Sequence, residues 1–164
     1  MTTIRNKKGL LTMVLVAAMA ALMAVPTFAE GVSPRADLYS WYSIQSVDNG
    51  KFLTRTGTYS NANVYLSGNA QSWLPGRYNG ITKLYANIST NGGTQYVAKY
   101  NSGSVVLAPE NEDYGTTSVE LYTVGGNVHR IFFNQRATYL CASGDNVTTA
   151  WYDENATTLK WYLS

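Results

Sequence analysis

Histidine and cysteine are almost missing from this chain: His129 and Cys141 stand alone among 164 residues. A zinc site wants several such ligands at tight spacing, so no metal centre is expected, and a single thiol excludes an intrachain disulfide. Cys141 lies in the apolar run Tyr139-Leu140-Cys141-Ala142 and reads as a small packed residue. His129 stands two residues before Ile131 in an alternating run, which predicts an inward-facing strand residue with a hydrogen-bond partner, not half of a Cys-His nucleophile.

Charge is also scarce, at 13% of residues. A glycosidase needs two carboxylates facing each other across a bond, yet Asp48, Glu120, Asp145, Asp153 and Glu154 are scattered, and the adjacent Asp153 and Glu154 would point to opposite faces of a strand. No phosphate-binding glycine loop and no serine elbow is present. The one acidic cluster, Glu110, Glu112 and Asp113, offers oxygen ligands of the kind calcium uses, but it reads more simply as a solvated loop. The sequence therefore predicts no enzyme and no cofactor.

Long apolar runs are missing after residue 29, and the one that precedes it has a recognisable design. Arg5, Lys7 and Lys8 lead into an apolar stretch from Leu10 to Val25, followed by Pro26-Thr27-Phe28-Ala29. A basic end, a greasy middle too short for a membrane span and a small-residue exit predict a secretory signal over 1–29, cleaved after Ala29. Loss of Arg5, Lys7 and Lys8 would leave nine basic residues against ten acidic ones. No basic stripe remains to follow a phosphate backbone, so neither nucleic acid nor a membrane-spanning role is expected of the secreted product.

What remains is rich in residues of strands and turns. All 13 tyrosines and all four tryptophans fall after residue 29, among many Thr, Val, Asn, Ser and Gly. Short runs such as Trp41–Val47, Lys51–Gly57, Gln95–Tyr100, Ser104–Ala108, Val128–Phe133 and Thr138–Ala142 are separated by turn sequences such as Asp48-Asn49-Gly50 and Gly125-Gly126-Asn127. No apolar period of 3.6 residues is sustained, which predicts an all-β domain over 41–164 after a lead-in over 30–40.

The strands recur in threes. Phe52-Leu53, Tyr96-Val97 and Tyr139-Leu140 recur at nearly equal intervals, and an isoleucine precedes each: Ile44, Ile88 and Ile131. Third strands are expected near Val64-Tyr65, Val105-Val106 and Ala150-Trp151, and fourth strands near Trp73, Leu121 and Trp161. Three four-stranded repeats, about 41–80, 81–125 and 126–164, would bury their apolar faces only against one another, so the first strand should meet the last. An eight-stranded barrel of the calycin or avidin kind is the alternative, though it would not require the repeat.

This pattern resembles the β-trefoil, and within it the ricin-B-type lectin domains. The Gln-x-Trp signature of that family appears intact as Gln71-Ser72-Trp73 and degrades to Leu159-Lys160-Trp161 and Val119-Glu120-Leu121. The resemblance implies core roles for Trp73 and Trp161. It also implies sugar sites built from an aromatic platform on or after the third strand, an acid in the turn after the first, and an Asn or Gln before the fourth. Carried over to the third repeat, these are Trp151, Asp153 and Asn155 with Asn134 and Gln135 in the turn, where the acid is missing. In the first repeat they are Asp48, Asn49, Tyr65 and Asn69; the second has Leu107 at the platform and looks silent.

The function so implied is a secreted, non-catalytic, carbohydrate-binding protein whose partner is a glycan or glycoconjugate. The alternative is a protein-binding trefoil, such as a secreted protease inhibitor or a host- or competitor-directed factor, working through loops such as Trp73–Asn79 or Pro109–Thr117. That alternative expects an inserted loop, and the connection between third and fourth strands is expected to be longest in the second repeat.

Overall fold

The computed structural model describes residues 36–88, 93–112 and 114–164. The expected signal sequence and its cleavage point lie outside the described residues. The described residues fall within one compact unit. Twelve strands carry the described chain: β1 (Tyr42–Ser46), β2 (Phe52–Arg55), β3 (Val64–Ser67), β4 (Ser72–Tyr78), β5 (Ile81–Ala86), β6 (Tyr96–Asn101), β7 (Ser104–Pro109), β8 (Val119–Gly125), β9 (Val128–Phe133), β10 (Thr138–Ser143), β11 (Asn146–Ala150) and β12 (Trp161–Leu163). One helical turn, α1 (Tyr114–Thr117), precedes β8.

The pairings separate into a barrel and a cap. β1 pairs with β4, β4 with β5, β8 with β9, β9 with β12, and β12 returns to β1 through Ile44 opposite Leu163. The hairpins β2–β3, β6–β7 and β10–β11 cover one end. They meet one another there: Asn146 pairs with Tyr65, Thr148 with Ser104, and Asn63 bridges Val106. This is the β-trefoil arrangement, and the eight-stranded alternative does not apply.

The register defines which residues are truly equivalent. Trp73 sits opposite Ala86, Val119 opposite Phe133 and Trp161 opposite Ser46. The amides of Val47, Asn87 and Asn134 donate to the carbonyls of Lys160, Ser72 and Ser118, the residues just before those three anchors. Counting back from these fixed points, the counterpart of Ile44 and Ile131 is Leu84, not Ile88, and all three are shut off from solvent. The counterpart of Trp73 and Trp161 in the second repeat is Val119, not Leu121, which is only half-buried. Thr117 and Leu159, both buried, occupy the places of Gln71.

The two buried indoles hold the strands they cross. Trp73 Nε1 donates to the Leu53 carbonyl at 2.9 Å and Trp161 Nε1 to the Leu140 carbonyl at 3.1 Å. Gln71 Oε1 accepts the Arg55 amide at 3.0 Å, so the carboxamide satisfies backbone as its type predicts. The long connections differ from expectation: residues 68–71, 110–118 and 151–160 join third to fourth strands, and the third repeat has the longest. The insertion in the cap belongs to the first repeat, where 56–63 link β2 to β3 while the other two hairpins turn in two residues.

Candidate functional site

Alternation along β8, β9 and β10 sets one row of side chains inward and the next outward. His129, Ile131 and Phe133 point into the core, so Arg130 and Phe132 face out; across the ladder, Tyr122 lies opposite Arg130 and Tyr139 opposite Phe132. The rings then gather on the outer wall. Phe132 touches Tyr122 at 6.0 Å and Tyr139 at 4.9 Å between centroids, and Tyr122 lies 6.4 Å from Tyr139.

The chain leaving β11 completes the surface. Trp151 is 73% exposed, and the following Tyr152, 56% exposed, turns back to pack against Tyr139 at 5.6 Å. Arg130 lies over the Tyr152 ring at 4.9 Å, and its Nη2 donates to the Glu154 carbonyl at 2.8 Å. That contact ties β9 to the 151–160 connection through a cation–π pair and a charge-assisted hydrogen bond. Asp153 Oδ1 accepts the Asn155 amide at 2.9 Å, an Asx turn that fixes the chain beside Trp151. Glu120 accepts a hydrogen bond from the Tyr122 hydroxyl at the other end of the rings.

Of the residues expected in the third repeat, Trp151, Asp153 and Asn155 share one exposed turn, whereas Asn134 and Gln135 are held elsewhere. Asn134 Nδ2 donates to Ser118 Oγ at 2.9 Å. The Gln135 carboxamide lies so close over Gly115 that a Cβ there would come within 2.5 Å of it. This turn therefore faces the 110–118 connection of the second repeat.

The first-repeat residues are not brought together. Asp48 Oδ1 accepts from Thr157 Oγ1 at 3.0 Å, and Asn49 Nδ2 donates to the Gly144 carbonyl at 2.9 Å, so both reach into the third repeat. Tyr65 is half-buried between Thr54 and Asn146. Asn69 follows β3, its carbonyl accepting from the Thr54 and Ser67 hydroxyls at 3.2 Å each. With Leu53 opposite Leu66 and Leu140 opposite Thr149, Tyr65 corresponds to Thr148, and the counterpart of Trp151 is Gly68.

Sequence reasoning missed Tyr122, Arg130, Phe132, Tyr139 and Tyr152. The signal was the alternation itself: once Ile131 and Leu140 are inward, Phe132 and Tyr139 must be outward, and adjacent strands bring them side by side.

The reactive residue types are committed to structure. His129 is buried, with Nδ1 3.3 Å from Thr123 Oγ1, and burial pushes its pKa down from the usual 6.5. Cys141 lies between the inward Leu140 and Ala142 and so faces the opposite way from His129, its Sγ donating to the Ala142 carbonyl at 3.5 Å. In the acidic loop, Glu112 pairs with Lys99, and Glu110 accepts from the Tyr85 hydroxyl at 3.1 Å and, through its carbonyl, from the fully buried Lys83 at 2.5 Å. Burial first, and the Glu110 carboxylate second, raise the Tyr85 pKa. Asp113 lies outside the described residues. Among the described residues, no three His, Cys, Asp or Glu side chains converge as metal ligands would.

No protein-family model matches the chain. No curated protein matches it either. Solved structures do. A designed threefold-symmetric protein, ThreeFoil, aligns with a TM-score of 0.62 at 20% identity over 75% of this chain and 96% of its own. A proteinase inhibitor from Coprinopsis cinerea aligns with a TM-score of 0.60 at 11% identity, covering 79% and 98–99% of the two chains in the case of both it and the next structure. That structure is the Macrolepiota procera ricin B-like lectin in complex with lactose, with a TM-score of 0.56 at 16% identity. At these identities the likeness is one of architecture: the chain has a β-trefoil fold.

Proposed function

We propose that this protein is a secreted, non-catalytic glycan-binding trefoil whose site lies on the third repeat. The observation that carries the reading is the exposed Trp151, followed in the same turn by the exposed Tyr152, which Arg130 braces, and by Asp153 and Asn155. A pyranose offers an apolar C–H face and a fan of hydroxyls, and it suits a bare aromatic face beside carboxylate and carboxamide groups. Fold alone would not license the activity; the surface chemistry is what favours it. Secretion rests on the leader sequence, Arg5 to Ala29.

The test is a glycan array probed with the wild type and Trp151→Ala. Binding to at least one glycan that the variant loses supports the reading; no glycan above background sinks it.

Protein binding is the second reading, and a specific feature favours it. The 56–63 loop is pinned at its base, where the Asn61 amide donates to the Leu107 carbonyl at 2.7 Å, and it presents Tyr59 at 59% exposure. The Tyr59 ring lies over Gly57, where a Cβ would come within 2.3 Å of it. A stiff projecting loop of this kind suits insertion into a cleft on another protein.

A further inference from the structure

The aromatic surface extends well past Tyr152. Tyr152, Tyr139 and Tyr122 follow one another at 5.6 and 6.4 Å between ring centroids, with Phe132 wedged against the last two. Each step is comparable to the length of one sugar ring in a chain. The row crosses from the 151–160 connection over β10 to β8, so it belongs to three separate elements and two repeats. Its outer end, Tyr122, is 45% exposed.

Neighbouring rings along the row are inclined by 51° and 52°. A flat crystalline polysaccharide face would need coplanar rings, whereas a single chain can rotate about each linkage to follow a twisting surface.

Charge narrows the ligand further. Glu120 borders one end of the row, and Asp153 and Glu154 border the other; all three are exposed. The facing cation from β9 is Arg130, and its guanidinium is engaged by the Tyr152 ring and the Glu154 carbonyl. A uronate or sulfated chain would meet a net negative border, while the carboxylates would accept hydrogen bonds from neutral hydroxyls.

The geometry points to a row of subsites, running from Tyr152 through Tyr139 to Tyr122, that takes consecutive residues of one soluble, uncharged glycan chain. This rests on the glycan-binding reading of the third repeat and names the class of ligand for it.

Calorimetric titration of the purified protein tests it. The probes are neutral oligosaccharide series of one to four units, built on glucose, galactose, mannose and N-acetylglucosamine, with oligogalacturonates of the same lengths as the acidic control. In at least one neutral series, affinity rises by roughly tenfold from one unit to three, and the matching galacturonate binds more weakly. Tyr122→Ala flattens that rise, and Tyr122→Phe, which keeps the ring and loses the hydroxyl contact to Glu120, preserves it. Equal affinity for one unit and four, or a rise untouched by Tyr122→Ala, overturns the row while leaving a single-sugar site in place. Preference for the galacturonates overturns the charge argument. No binding at any length removes the glycan reading itself, and the row with it.

Discussion

His129 is the chain's one histidine, and its position makes the protein sensitive to mild acid. Burial holds the imidazole below its ordinary pKa of 6.5, so the fold favours the neutral ring and the unfolded chain takes up the proton first as pH falls. Stability is therefore complete above pH 6.5 and declines as the pH drops toward the depressed native value. Thermal melts between pH 8 and pH 5 should show the melting temperature falling below pH 6.5, with the fall reduced in His129→Gln. An identical slope in the variant would assign the effect to carboxylates instead. At the same scale, the candidate site was half legible. Trp151, Asp153 and Asn155 could be picked out because an aromatic followed by polar residues is a local pattern. Asn134 and Gln135 could not be placed, because their partners Ser118 and Gly115 belong to another repeat.

At the level of strands and connections, the threefold beat survives in the structure but four of its markers move, and on the third strand of the last repeat Ala150-Trp151 gives way to Val147-Thr148. Ile88 gives way to Leu84, Leu121 to Val119, and Val97 to Ala98, which lies opposite Leu107 as Leu53 lies opposite Leu66. The connection between β5 and β6 is longer than those after β1 and β9, so equal spacing along the chain does not mean equal position in the barrel. Only the ladder, with Trp73, Val119 and Trp161 as fixed points, resolves that slip. The same anchors yield a stability prediction. Trp161→Phe removes the donor to the Leu140 carbonyl and leaves that acceptor buried, at a cost of about 2–4 kcal/mol including the lost ring volume. Trp73→Phe should cost a similar amount through Leu53. Chemical denaturation measures both, and a loss below about 1 kcal/mol in either would mean that the indole hydrogen bond does little for the fold.

For the molecule as a whole, closure is the property on which the rest depends. β12 is three residues long, yet it joins β1 and β9 and carries Trp161 into the core. A chain ending at Lys160 should lose its cooperative thermal transition and its near-ultraviolet circular dichroism together, because the open barrel leaves β1 and β9 without their shared partner. A retained sharp transition would show that the remaining strands close without it. The closed trefoil in turn holds the aromatic wall, whose members come from β8, β9, β10 and the 151–160 connection. Of the four tryptophans, Trp73 and Trp161 are buried while Trp41 and Trp151 are exposed. In a Trp41→Phe background, iodide quenching of tryptophan fluorescence therefore reports on Trp151. If the third repeat binds a glycan there, an oligosaccharide selected from the array protects the indole from iodide in a saturable way. Unchanged quenching at saturating sugar would contradict the account.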